Sequence, residues 1–191
     1  TVTATLTGTT AAAKDLIELT GKVTTLDVSS LKTITGDLAD INTVTTTAGA
    51  TDVAVTITGT VPASSFATLN SIATNTGVVK ATVEGAVSDL IQLTSTSTDL
   101  LTLKITDASV TAADLITIDG KTAVVVNASA VTTISGNAAN LKTIYASKTI
   151  SGLGNEAVTI SPAADAADVN KILKATTGVV TASVTAAIAA D

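Results

Sequence analysis

Apolar and polar residues alternate in several short runs. Val2 to Thr7, Val53 to Thr58, Val78 to Glu84, Leu101 to Thr106, Ala157 to Ser161 and Val179 to Thr185 read as strands with one buried face. Shorter runs lie near Val23 to Val28 and Thr122 to Asn127. Between Val79 and Glu84, Ala81 and Val83 share one face while Lys80, Thr82 and Glu84 share the other; Thr181 to Thr185 splits the same way. A second period follows several of these runs. Ala12, Ala13, Leu16 and Ile17, then Ala86, Val87, Leu90 and Ile91, then Val169, Ile172 and Leu173, predict short helices with one buried stripe. Leu38, Ile41 and Val44 recur every third residue, as do Ala138, Leu141 and Ile144, a spacing for a short helix or a 3₁₀ turn. Ser161-Pro162 reads as a helix start, with Ser as cap and Pro at the first helical position. Gly21, Gly77, Gly120 and Gly178 read as helix exits.

The pattern repeats. Asp15-Leu16-Ile17 recurs as Asp114-Leu115-Ile116, and Gly21-Lys22 as Gly120-Lys121. Ser29, Thr33-Ile34, Gly36, Ala39 and Thr43 recur as Ser129, Thr133-Ile134, Gly136, Ala139 and Thr143. Pro62 matches Pro162, and Thr76-Gly77-Val78-Val79 matches Thr177-Gly178-Val179-Val180. Copy one is expected over residues 1–92 and copy two over 93–191. The order of strand, helical turn and strand predicts a repeat protein, an α/β solenoid of parallel strands alternating with short helical turns. Its layout is leucine-rich-repeat-like, with right-handed crossovers, although the Asn ladder of that consensus is absent. The alternative is a parallel β-helix, and a globular two-layer α/β domain comes third.

Composition sharpens this reading. Hydrophobic residues make up 46% of the 191 positions and charged residues 14%, too apolar for intrinsic disorder. The apolar set is aliphatic, with Phe66 and Tyr145 as the two aromatics, which predicts a thin core. Cys, Met, His, Trp and Arg are absent, and all ten basic residues are Lys. No disulfide framework, thiol nucleophile, ordinary zinc site or Ser-His-Asp triad can be assembled, and the bidentate clamp for phosphate is missing. A net charge of −6 and a pI of about 4.4 argue against nucleic acid as a partner. No run approaches a membrane span, since Thr181, Ser183 and Thr185 break the most apolar stretch, Val179 to Ala190; no membrane insertion is expected. The chain opens inside a strand-like pattern and closes at Asp191 without a polar capping unit, as expected of a processed product or a slice of a longer protein.

Each candidate for chemistry has a plainer reading. Asp15, Asp89, Asp114 and Asp168 sit at similar places in helical turns, where a row of carboxylates could hold Ca²⁺. An acid favoured by the helix macrodipole explains them better. Asp37 and Asp40 become Asn137 and Asn140 in copy two, so a shared ionic role is not expected. Thr3, Thr5 and Thr7, with Thr56 and Thr58, resemble an ice-binding array. Lys80, Thr82 and Glu84, then Thr102, Lys104 and Thr106, put charges in that wall, and the strand propensity of Thr accounts for the rest. A Ser-Lys dyad finds no favoured spacing, and paired carboxylates lack the aromatic platforms of a glycosidase. Ser151-Gly152-Leu153-Gly154-Asn155-Glu156 lacks the third Gly of a dinucleotide fingerprint and precedes a strand, so it reads as a loop between coils. Asn127-Ala128-Ser129 matches a glycosylation sequon absent from Asp27-Val28-Ser29 and is read as a chance match. Lys22, Lys32, Lys121 and Lys142 read as solvated edges in preference to a basic cluster. No catalytic, cofactor-binding or metal-ligating residue is assigned, and no enzyme is expected.

Asp119 to Ser129, Val131 to Gly136 and Ser151 to Thr159 together resemble the Thr/Ala/Val-rich repeat arrays of very large secreted bacterial cell-surface proteins, those of marine cyanobacteria in particular. Copy one departs from them, with no counterpart of Gly152 to Glu156 near Ala48 to Asp52. The resemblance implies an extracellular or cell-surface structural protein. The expected role is a spacer or self-assembling unit of a surface layer, fibre or giant adhesin, partnered by itself or by neighbouring repeats. The alternative is a binding module for ice or surface glycan that uses the Thr-rich strand wall.

Overall fold

Short aliphatic strands alternate with one- to three-turn helices in the computed structural model, which describes residues 1–47, 52–95 and 98–185. In chain order the first elements are β1 (Thr3–Thr5), β2 (Thr10–Ala12), α1 (Ala13–Thr20), β3 (Thr25–Asp27), β4 (Thr33–Gly36), α2 (Leu38–Thr47), β5 (Ala54–Pro62), α3 (Phe66–Asn75) and β6 (Val79–Gly85). Then come α4 (Val87–Leu90), β7 (Leu100–Ile105), β8 (Ser109–Thr111), α5 (Ala112–Asp119), β9 (Val126–Asn127), β10 (Thr133–Gly136), α6 (Ala138–Ala146), β11 (Ile150–Ser151), β12 (Ala157–Asp165), α7 (Ala166–Leu173) and β13 (Val180–Thr185). A 3₁₀ turn over Ala63–Ser65 leads into α3. The protein is thus an α/β fold, and the strand pairs are parallel. Parallel neighbours need crossovers, and the helices supply them.

The chain forms two compact units, one of residues 1–84, 93–102 and 121–123, the other of residues 85–92, 103–120 and 124–191. In the first, β2, β4, β5 and β6 pair in that order, and β1 pairs separately with β3. Ala11, Ile34, Val55 and Val79 occupy one row across the sheet. Ile34, Val55 and Val79 are buried there, over Leu16, Ile41, Val44, Leu69 and Ile72 of the helices. In the second unit β8, β10, β12 and β13 pair in that order, and β9 lies between β7 and β11. Val110, Ile134, Val158 and Val180 form the equivalent row. Leu115, Ile118, Leu141, Ile144 and Ile172 are the buried helical residues.

The alternating runs therefore become strands and the spaced aliphatics become helices, and most of these patterns put one face inward, although Leu173 of α7 is 48% exposed and Val2, beside β1, is 59% exposed. Leu38, Ile41 and Val44, and their counterparts Ala138, Leu141 and Ile144, lie on α-helices and not on 3₁₀ turns. Three local expectations fail. Ser161-Pro162 does not start a helix: it is a cis peptide within β12, and α7 begins four residues later, capped by Asp165. Pairing with β13 resumes at Ala164–Val184 after an irregularity, so strand register overrides the local helix signal. The register also sets Pro62 opposite Glu84 but Asp165 opposite Thr185, so Pro62 corresponds to Asp165 and not to Pro162. Gly178 does not end a helix either, because α7 ends at Leu173. Gly178 instead lies against the Glu156 backbone, where an added Cβ would sit 2.1 Å from the carbonyl oxygen. Residues 48–51 of the Ala48 to Asp52 stretch, and residues 186–190 of the Val179 to Ala190 stretch, lie outside the described residues.

Candidate functional site

Asp15, Asp89, Asp114 and Asp168 each stand in the first turn of a helix, where the positive end of the macrodipole favours an acid. They are not brought together, and among the described residues no three acidic side chains gather as metal ligands would. Asp114 accepts the Thr111 hydroxyl at 2.8 Å, while that hydroxyl oxygen accepts the Asp114 N–H. Asp168 takes the Lys142 ammonium at 2.6 Å and that of Lys171 at 3.6 Å. The Lys142 hydrogen bond holds its carboxyl below the usual range.

Asp37 and Asn137 do the same work. Each side-chain oxygen accepts the N–H three residues on, at 2.8 Å, closing the start of α2 or α6. An amide oxygen serves as well as a carboxylate there. Asp27 and Asn127 form a second such pair, each accepting the N–H of Ser29 or Ser129 at 3.0 Å. The sequon Asn127-Ala128-Ser129 is accordingly a side-chain-capped turn.

The lysines are engaged separately. Lys22 lies 4.0 Å from Glu18, and Lys121 donates to the Leu93 carbonyl at 2.7 Å. Ser95 is near Lys121, but its hydroxyl donates to the Lys121 carbonyl. Serine and ammonium are each spent on backbone.

One well-connected polar group has no signal of its own in the sequence pattern. Glu156 is fully buried. Its carboxylate accepts the Gly154 N–H at 2.8 and 3.0 Å and the Tyr145 hydroxyl at 3.1 Å, while its backbone carbonyl accepts the Thr176 hydroxyl at 2.7 Å. Gly154 reaches this position with φ +130, which a glycine tolerates. The run Gly152 to Glu156 is therefore a loop closed on its own carboxylate. Burial and the neighbouring Glu156 charge push the Tyr145 phenol well above its ordinary value. A phenol held protonated is a poor base or nucleophile at neutral pH. Beside it, Lys142, Lys171, Ala146, Ile172 and Ala175 line an open cavity of about 310 Å³.

The strand wall offers a more regular surface. Thr111, Ser135, Thr159 and Thr181 follow one another across β8, β10, β12 and β13 in strict register, and all four are exposed. Thr111 and Ser135 border an open cavity of about 250 Å³ that Ser88, Ser109, Asp107 and Asp114 also line. The corresponding row of the first unit reads Ala12, Thr35, Thr56, Lys80, so a charge interrupts it. Repeat offsets applied strand by strand would have revealed the four-hydroxyl row; inspection of Thr-x-Thr runs within single strands did not. A larger groove of about 510 Å³ in the first unit is lined by Asp37, Asn42, Thr58, Thr60, Ser65 and Pro62, among others. It lies beside the β5 irregularity, where Gly59 has φ +79.

No helix among the described residues is long and apolar enough to cross a membrane. Comparison of the chain with protein-family models, with curated proteins and with solved structures found no match.

Proposed function

We propose that this protein is a structural module of the bacterial cell surface, a spacer or self-assembling unit built as an α/β solenoid of two sequence repeats. The observation that carries the reading is the recurrence of strand register. Ala11 pairs with Ile34 as Val110 pairs with Ile134. Val55 pairs with Val79 as Val158 pairs with Val180, and both long strands break register before resuming, at Thr60–Thr82 and Ala164–Val184. Close approaches recur too: a Cβ on Gly36 would meet Ala13 at 2.8 Å, and one on Gly136 would meet Ala112 at 3.0 Å. The resemblance to Thr/Ala/Val-rich surface arrays supports an extracellular setting. Polar groups spent on caps, turns and loop closure support a structural role over a chemical one. Small-angle scattering of the dispersed chain tests the solenoid. An elongated particle is expected; a compact sphere would overturn the reading.

The row Thr111–Ser135–Thr159–Thr181 favours a second reading, a binding module for ice or surface glycan. Thermal hysteresis that Thr159→Lys abolishes would establish ice as the ligand. Its absence at high protein concentration removes ice.

A further inference from the structure

β13 and β6 occupy corresponding places but differ in cover. β6 is bordered by β5 on one side and β7 on the other, and its inward residues Val79 and Val83 are 1% and 0% exposed. Asp99, just before β7, accepts the Val79 N–H at 3.0 Å, and Thr106, just after it, donates to the Gly85 carbonyl at 3.1 Å. β13 pairs with β12 alone among the described residues. Val184, the counterpart of Val83, is 52% exposed, beside Val179 at 73% and Leu173 at 48%. A parallel strand edge flanked by bare aliphatics is a template for another strand.

The strand that matches β7 is β1. Val2, Ala4 and Leu6 stand where Leu101, Leu103 and Ile105 stand one repeat later. Ala4 pairs with Leu26 and Thr5 with Asp27, as Leu103 pairs with Val126 and Lys104 with Asn127. Among the described residues β1 pairs with β3 alone, and Val2 is 59% exposed.

We infer that the outer edge of β13 is a docking surface for β1 of a second copy of this chain, joined in parallel as β7 joins β6. The inference rests on the repeat reading above and names the partner that reading leaves open. The contact is heterologous, since the edge given differs from the edge received, so copies add head to tail without closing.

Complementation between two variants of this chain tests it. Val184→Lys alters only the receiving edge and Val2→Lys only the donating edge; both positions are exposed in the single chain, so both variants fold. In sedimentation velocity, wild type forms linear oligomers that grow with concentration. Each variant alone needs roughly tenfold or more higher concentration for half-association. An equimolar mixture restores association but stops at dimers, because each variant keeps one intact edge. Variants that assemble like wild type, or a mixture that stays monomeric, would overturn the inference. A wild type that is monomeric at every concentration also overturns it, and leaves a following segment of a longer chain as the occupant. An elongated monomer in scattering would then still uphold the spacer reading, whereas a compact one sinks both.

Discussion

At the residue scale this protein solves its polar bookkeeping with small side chains. Helical threonines return their hydroxyls to the carbonyl four residues back, as Thr43, Thr74, Thr117 and Thr143 do. Glu156 is a buried carboxylate satisfied by a glycine N–H and a phenol. Removing one of its donors leaves an acceptor underused, so Tyr145→Phe should cost about 1 kcal/mol at neutral pH in urea unfolding. The pH dependence follows from the raised phenol. Folding favours protonated tyrosine, so this stabilisation is complete below the ordinary value of 10.0 and is lost as pH climbs through the higher folded value. The gap between wild type and Tyr145→Phe should therefore narrow only above about pH 10. Tyr145 is the sole tyrosine, so near-ultraviolet absorbance reads its ionisation directly; tyrosinate forming at its ordinary pH in the folded chain would refute the assignment. Gly178 makes a steric case. Its added Cβ would overlap the Glu156 carbonyl at 2.1 Å, against 3.0 Å from the Asp52 carbonyl at Gly77. Gly178→Ala should cost about 2–3 kcal/mol in thermal unfolding, and Gly77→Ala clearly less. Equal losses would show that the Glu156 loop yields easily.

At the element scale, legibility tracked the length of the alternating run around each strand. β5, β6, β7, β12 and β13 carry enough alternation to reveal a buried face. β2, β4, β8 and β10 span three or four residues, too short for a period to register, yet they hold the sheet rows together. The spaced aliphatics of α1, α2, α4, α6 and α7 were legible, whereas α3, which buries Phe66, Leu69 and Ile72, has no counterpart among the expected helices. The Ser-Pro signal misled because cross-strand pairing of β12 with β13 outweighs a local cap preference, and the side chain that caps α7 is Asp165. Caps elsewhere explain why an acid and an amide interchange at matching sequence positions. Asp37 and Asn137 hold the same N–H at the same distance, so charge is secondary to geometry. Asp37→Asn should change stability by less than about 0.5 kcal/mol, while Asp37→Ala should cost about 1 kcal/mol. Circular-dichroism melts of the two variants decide it; a large loss in the Asn variant would mean that the carboxylate's charge matters to α2.

At the scale of the whole molecule, composition spoke about chemistry, and strand order spoke about surfaces. A chain without His, Cys or Arg offers no imidazole, thiol or guanidinium. The hydroxyl row, and the edge of β13 left unpaired among the described residues, were hidden because they belong to the registers of separate strands. Charge then dictates how such an edge behaves in solution. The chain carries −6 at pH 7, so two copies repel at long range. Neither end strand adds charge to the contact, since β13 reads Val-Thr-Ala-Ser-Val-Thr and β1 reads Thr-Ala-Thr. Main-chain hydrogen bonds and aliphatic burial must hold the copies together, and salt weakens neither. Raising salt from about 10 mM to about 0.15 M shortens the Debye length from about 30 Å to about 8 Å. Head-to-tail association should strengthen over that range, and strengthen again as pH falls toward the pI of about 4.4 and net charge vanishes. Sedimentation at fixed protein concentration reads both trends. Association that weakens with salt would mean that ion pairs join the copies, and would shift attention from the uncharged strands to the lysines and acids of the helices.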